Sequence, residues 1–417
     1  MKLGCIADDF TGATDLANNL VRSGMRVTQA IGVPAGPPQD DVDAVVIALK
    51  SRTIAPADAI GQSLRALRWL RANDAQQIYF KYCSTFDSTP LGNIGPVTEG
   101  LLDALDSRFT IATPAFPDNK RTVFKGHLFV GDVLLSESGM QNHPLTPMTD
   151  ANLVRVLQAQ CRGKVGLIDH EVVARGEQAI RGRIDTLQAD GVTIAIVDAV
   201  SNDDLLRLGP ALRGMPLVTA GSGVAIGLAP NFGIAPSSRA GILAPAAGRQ
   251  AIVSGSCSLA TNQQVREFMR AGGKAFALDP SRALSGAAVV DEALAWAAPL
   301  LAAGPVLVYS TADPTVVKEV QSRFGANTGE MIEQALAAIA QGLVKLGVRQ
   351  LVVAGGETSG ACVQALGVSQ MRIGRQIDPG VPWCHALLPA GEGLHIALKS
   401  GNFGGPDFFG RAFGLLR

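Results

Sequence analysis

Short runs of β-branched and apolar residues alternate with stretches of helical periodicity along most of this 417-residue chain, and that alternation restricts its fold more than any other feature. Ala44 to Leu49, Ile78 to Tyr82, Thr110 to Pro114, Val165 to Asp169 and Thr193 to Asp198 have the residue types of buried strands. Pro56 to Leu70, Asn152 to Gln160, Glu171 to Ala189 and Asn202 to Leu212 have the spacing of helices. Strands and helices in alternation imply a largely parallel sheet covered by its crossovers. Gln250 to Ser256 opens a second series, with strands near Ala251 to Val253, Ala275 to Leu278, Val306 to Tyr309 and Gln350 to Val353. Its helices fall near Leu259 to Arg270, Asp291 to Leu301 and Gly329 to Leu346. The series closes differently, because Met371 to Ile377, Trp383 to Leu388 and Leu394 to Leu398 follow one another without helices and read as antiparallel strands. Between the two series, Ala229 to Gly248 carries Pro230, Pro236 and Pro245 among small residues. The expected fold is α/β in two domains, residues 1–228 and 249–417, each a mostly parallel sheet flanked by helices, with 229–248 as the connection.

Charge narrows the choice of ligand. Lys and Arg total 36 and Asp and Glu total 36, with no basic run, so the chain lacks the electrostatic footprint for nucleic acid or an anionic membrane. A small molecule is the expected ligand. The six cysteines are scattered without a CxxC pair, which fits free thiols in a reducing cytoplasm and neither a disulfide frame nor a zinc site. No apolar stretch is long enough to span a bilayer and the first residues do not form a signal peptide, so a cytoplasmic protein is expected. A homo-oligomer stays open.

The segment Ile6-Ala7-Asp8-Asp9-Phe10-Thr11-Gly12-Ala13-Thr14-Asp15 places two adjacent carboxylates at the turn from a strand, Leu3 to Ala7, into a helix. Ligands of open α/β sheets bind at such turns. One Asp would serve as a helix cap, but two exceed what a cap needs. Other polar groups follow strands in the same half: Lys50-Ser51-Arg52-Thr53, the block from Lys81 to Thr89, and Thr122 to His127. The planar fork of Arg52 and the point charges of Lys81 and Lys125 suit a carboxylated, hydroxyl-rich molecule.

Three Gly/Ser loops in the second half each follow an apolar strand: Ser254 to Ser258, Gly355 to Gly360, and Lys399 to Gly405. Glycines let backbone amides converge, and a helix after the loop adds unpaired N–H groups and a positive dipole end. Together they resemble a triphosphate cradle. No GxxxxGK[ST] occurs, and Gly221-Ser222-Gly223 finds its third glycine at Gly227, one position late for GxGxxG. A dinucleotide-dependent dehydrogenase is therefore disfavoured.

At this point a family resemblance is visible. The opening Ala7 to Asp15, the block Phe80 to Thr89, Gly92-Asn93-Ile94-Gly95-Pro96, Val253 to Ser258, Ala354 to Gly360 and Lys399 to Gly404 resemble the four-carbon acid sugar kinases over essentially the whole chain. The Cys83-Ser84-Thr85-Phe86-Asp87-Ser88-Thr89 form is more similar to the 3-oxo-tetronate 4-kinases than to the threonate and erythronate kinases. The resemblance implies an N-terminal acid-sugar domain and a C-terminal ATP domain, with the reaction in the cleft between them. It implies nucleotide contacts at Ser258, at Gly360, Ala361, Cys362 and Val363, and at Gly404 and Gly405. Substrate contacts are implied at Arg52, Lys81, Ser84, Asp87 and Lys125, with Gly221, Ser222 and Gly223 near the cleft. For the group that orients or deprotonates the acceptor hydroxyl, Asp8 and Asp9 are the candidates and Asp87 the reserve. Mg²⁺ is expected to ride on the phosphates, with its protein ligands unknown. A threonate or erythronate kinase and a non-catalytic sugar-acid sensor are the alternatives.

Overall fold

The computed structural model describes residues 1–38, 42–143, 146–279, 282, 287–311 and 328–416. The chain divides into two compact units, Met1–Gly241 and Ile242–Arg417.

The first unit is built on eight parallel strands. In chain order these are β1 (Leu3–Ala7), β2 (Val27–Ile31), β3 (Ala44–Ala48), β4 (Gln77–Lys81), β5 (Thr110–Thr113), β9 (Lys164–Ile168), β10 (Val192–Val197) and β11 (Leu217–Ala220). They lie in the order β2-β3-β1-β4-β11-β5-β10-β9. Every residue of β1, β3 and β4 is buried, as a parallel sheet covered on both faces requires. The helices include α1 (Phe10–Arg22), α2 (Pro56–Ala72), α3 (Ile94–Ala104), α4 (Leu153–Gln158), α5 (His170–Ala174), α6 (Glu177–Ala189) and α7 (Asn202–Ala211). The chain leaves β1 toward β2 and β3 on one side and later reaches β4 on the other. Ala7 is level with both Ala48 and Lys81, so the loops after these three strands emerge side by side at the carboxyl edge.

Some of this differs from the sequence reading. The single helix expected over 171–189 is two, α5 and α6, interrupted at Gly176, whose φ of +82° no helix accommodates. Thr122 to His127 is no strand-end loop: β6 (Arg121–Phe124), β7 (His127–Val130) and β8 (Val133–Leu134) form a separate antiparallel sheet. Lys125 and Gly126 are its two-residue turn, with φ of +50° and +74°, the left-handed pair that matches strand twist in a tight hairpin. Residues 229–248 divide between the units. Ala229–Phe232 and Ser238–Gly241 are short 3₁₀ turns of the first, with the Ala235 carbonyl against Gly24, while Leu243 packs on Gly374 and Trp383 of the second.

The second unit has β12 (Arg249–Ser254), β13 (Lys274–Ala277), β14 (Val306–Tyr309), β15 (Val348–Ala354), β16 (Gln370–Asp378), β17 (Val381–Leu387) and β18 (Gly393–Lys399). The order is β13-β14-β12-β15-β18-β17-β16, parallel as far as β18 and antiparallel after it, as the closing strand pattern predicted. Its core joins Ile252, Leu307, Val352 and Ala397 to Trp383, Phe408, Phe409 and Phe413. Helices α8 (Leu259–Arg270), α9 (Ala287–Leu300), α10 (Thr328–Lys345) and α11 (Gly356–Ala365) follow or precede its strands. Ser254, Ala354 and Lys399 end level with one another, which brings the three Gly/Ser loops to one edge. No helix of the described residues is long and apolar enough to cross a membrane.

Candidate functional site

In the first unit the carboxyl ends of β1 and β4 and the loop after β3 assemble a charged cluster. Arg52 donates from Nε and Nη2 to the two oxygens of Asp8 at 2.8 and 2.9 Å, a bidentate fork, and its Nη2 also lies 2.7 Å from Asp9 Oδ1. Lys81 Nζ lies 3.4 Å from the same Asp9 oxygen, and Thr11 Oγ1 donates to the other at 3.1 Å. Asp9 stands at the N-cap position of α1, yet its side chain makes no capping bond. The charges of Arg52 and Lys81 have claimed it. Burial works against both carboxylates. At Asp8 burial prevails over Arg52 and the pKa is raised, whereas at Asp9 the charges of Arg52 and Lys81 prevail and hold the carboxyl well below its usual range. Gly12 is required by this packing, because a Cβ there would sit 1.7 Å from Lys81 Nζ and 2.1 Å from Asp9 Oδ1.

Behind the cluster stand residues that the sequence reading gave no role. Asn93, just before α3, donates from Nδ2 to the carbonyls of Ser51, Arg52 and Ile54 at 2.8, 3.1 and 3.0 Å and so fixes the loop that aims Arg52. Its signal was present, an Asn between a Gly and a helix start, but its partners lie some forty residues away. Asp15 on α1 is buried, and Ser222 Oγ donates to its Oδ2, while Asn19 Nδ2 donates to the Ser222 carbonyl at 3.0 Å. Tyr79 Oη donates to the Gly221 carbonyl. Burial pushes the Asp15 carboxyl up to about 6, against the pull of Lys81 and Ser222. Ser222 thus holds Asp15, and Gly223 packs on the Ala115 carbonyl.

The loop after β4 turns sharply at Phe86, a buried residue with φ of +53°, and the Asp87 amide donates to Cys83 Sγ at 3.0 Å. Ser84 on this loop is half-buried. Burial, reinforced by the charge of Asp87, pushes the Cys83 thiol up to about 12, so it is neutral and no nucleophile. Asp87 Oδ1 and Arg121 Nε are buried without a hydrogen-bond partner among the described residues. Arg121, at the start of β6, is near enough to feel the charges of Cys83 and Asp87.

Lys125 lies apart from the charged cluster. Its position in the hairpin turn sends its ammonium to Glu171 Oε1 at 2.8 Å and Asp169 Oδ2 at 3.7 Å, and it takes no part in the Asp8–Asp9–Arg52–Lys81 cluster. Asp198 fixes the turn by accepting from the amides of Lys125 and Gly126 at 2.6 and 2.8 Å.

In the second unit the three loops interlock. Ser258 caps α8, its Oγ accepting from the Thr261 amide at 3.2 Å and donating to the Gly401 carbonyl. Thr261 Oγ1 donates to that carbonyl at 2.8 Å, and the Gly355 amide donates to the Lys399 carbonyl at 2.8 Å. Gln264 on α8 holds the carbonyls of Phe403, Gly404 and Gly405 at 3.0, 2.9 and 3.1 Å. Gly404 takes a φ of +84° there, and the Gly405 amide is already given to Asp378 Oδ2 at 3.0 Å. Helix α11 takes in Gly360, Ala361, Cys362 and Val363. It begins at Gly356, one turn before Gly360, so the free amides fall at 356–358, while those of Gly360, Ala361, Cys362 and Val363 face carbonyls of their own helix. Gly360, Cys362 and Val363 are buried and Ala361 is half-buried. Glu357 is exposed in the first turn. Among the described residues no three His, Cys, Asp or Glu side chains converge as metal ligands.

Residues 3–228 match the family model of a sugar-binding N-terminal domain, and residues 251–409 that of a nucleotide-binding C-terminal domain. The chain is 58% identical to a 3-oxo-tetronate kinase of Burkholderia multivorans, covering 99% of this chain and 97% of that protein. It is 57% identical to a 3-oxo-tetronate kinase of Cupriavidus necator, covering 98% and 96%. A crystal structure of a Salmonella typhimurium LT2 protein, 44% identical, superposes with a TM-score of 0.89 over 99% of this chain and 98% of that one.

Proposed function

This chain belongs to the four-carbon acid sugar kinase family, and we propose that its charged cluster binds the acid sugar and its three glycine-rich loops bind the nucleotide. It is an ATP-dependent phosphotransferase with an alcohol as acceptor, and its substrate is a 3-oxo-tetronate, phosphorylated on the C4 hydroxyl to give the 4-phosphate and ADP. The observation that carries the reading is the near-full-length likeness to 3-oxo-tetronate kinases across both units.

Phosphoryl transfer is mainly positioning and charge stabilisation. Arg52 and Lys81 are pre-set by Asp9 and supply the positive field for the substrate carboxylate. Ser84, Asp87 and the unpaired Nε of Arg121 take its hydroxyls and oxo group. Between the two adjacent aspartates the pKa directions differ, and the difference favours Asp8 as the group that receives the C4 proton. Asp9, held as a carboxylate, positions the two cations. Ser258, the amides at the start of α11 and the loop through Gly404 and Gly405 cradle the phosphates, with Ala361 on the adjoining helix face. Mg²⁺ bound together with the nucleotide would supply charge neutralisation at the phosphates. Six free cysteines, three of them buried, support work in a reducing cytoplasm.

The test is ADP release with MgATP and freshly prepared 3-oxo-tetronates, threonate and erythronate in parallel. Turnover confined to the oxo acids is expected, and turnover on the plain acids alone would move the chain to the sister kinases. Asp8→Asn should lower kcat at least about 100-fold with the ATP KM nearly unchanged. If Asp87→Asn alone has that effect, the base is Asp87.

A further inference from the structure

Lys399, the last residue of β18, is fully buried and has no carboxylate to pair with among the described residues. Its ammonium donates to three neutral oxygens: Thr261 Oγ1 at 2.9 Å, the Ser400 carbonyl at 3.0 Å and the Gly401 carbonyl at 3.1 Å. Three acceptors use all three protons of an ammonium, whereas a neutral amine has two. Thr261 spends its own proton on Gly401, so loss of a proton from Lys399 leaves one of these contacts without a hydrogen, and Thr261 must then turn away from Gly401 to supply it. The protonation state of Lys399 is therefore written into the bonding of the Gly401 carbonyl, which Ser258 also holds.

A buried cation with only dipoles around it is costly unless an anion arrives. We propose that Lys399 is a positioning residue for the nucleotide, set behind the phosphate loop, and that binding of the phosphates draws one proton from solvent onto its amine. The inference rests on the nucleotide reading of these loops.

Charged and titratable groups on the surrounding elements are otherwise engaged or distant in the chain. Asp378 is taken by the Gly405 amide and Arg411, Asp407 by Arg411, and Glu267 by Arg270. Glu357 is exposed on α11, Cys257 precedes α8, and Cys362 and Cys384 are buried thiols pushed up to about 12. None contributes to the state of Lys399, whose pKa is lowered to about 7 by burial alone. On this proposal the free enzyme at pH 8 holds mostly the amine, and the proton taken up on binding comes from the buffer.

The experiment is calorimetric titration of the full-length protein with MgADP at pH 8 in Tris and in HEPES, whose ionisation enthalpies differ. Uptake approaching one proton per nucleotide is expected, shrinking as the pH is lowered below 7. Lys399→Met should abolish the uptake and weaken MgADP about tenfold, while its melting curve reports whether it is folded. Wild-type binding with no buffer dependence overturns the proposal even if the variant does not fold, and so does uptake that persists in the variant. Absence of any MgADP binding by the wild type overturns the nucleotide reading and this inference together.

Discussion

The candidate sites of the two units are made in opposite ways. The acid end of the first unit is a lattice of full charges, with Arg52 forked onto Asp8 and shared with Asp9, and Lys81 close behind. The loop cluster of the second unit carries fewer charges, a set of glycine turns held by hydroxyls, one glutamine and Asp378, with the buried Lys399 beneath. Paired charges aim rigidly and discriminate by shape, which suits a small acid. Backbone donors and helix ends adapt to an anion that brings its own metal.

The largest effect expected from breaking this contrast lies at Arg52. Arg52→Met leaves the buried Asp8 and the half-buried Asp9 without their shared partner, a loss on the order of 3 to 5 kcal/mol for such pairs, and should lower kcat/KM for the acid about 1,000-fold while MgADP affinity in calorimetry stays within about twofold. Next comes Ser258→Ala, which removes a helix cap worth about 1 kcal/mol and one bond to Gly401. Its signature is a rise of about tenfold in the ATP KM with the acid KM unmoved; a change in the acid KM would show that the two sites are not separable.

Asp15 gives a pH test of the charged end. Its folded-state pKa of about 6 lies above the unfolded 3.8, so the folded protein binds that proton more tightly. The burial penalty is absent below about pH 4, grows between pH 4 and 6, and is complete above. Asp15→Asn should therefore melt near the wild type at pH 4 and higher than it at pH 7.5, by roughly 2 to 3 kcal/mol before any loss of its attraction for Lys81. The smallest effect belongs to Lys125→Ala, since an exposed ammonium on Glu171 contributes little. Acid KM and kcat should stay within about twofold, and a tenfold rise in KM would return Lys125 to the substrate.

Much of this was legible in the chain. The strand-helix alternation is a local signal, and so is the switch to antiparallel strands after β15, because each depends on neighbours in sequence. The clustering of Asp8, Asp9, Arg52 and Lys81 followed from one rule, that loops after parallel strands share an edge. What was missed depends on geometry at longer range or finer grain. Lys125-Gly126 is a hairpin turn that looks like any basic loop until its flanking strands pair. Helix α11 starts at Gly356 because the chain turns at Gly355, with φ of +123°, and sequence spacing alone did not separate that start from Gly360. Asn93, Asp15, Gln264 and Lys399 act on partners distant in the chain, so nothing beside them in sequence announces their roles.

Gly12 carries a consequence for anyone who would redesign the acid specificity. The space a methyl group would need there is already filled by an ammonium and a carboxylate, so this turn has no room for diversification and must be inherited whole. A combinatorial library that varies residues 8–12 would be mostly dead on arrival. On the proposed reading, variation belongs instead in the turn from Cys83 to Asp87 and at Arg121, where Asp87 Oδ1 and Arg121 Nε have no hydrogen-bond partner among the described residues.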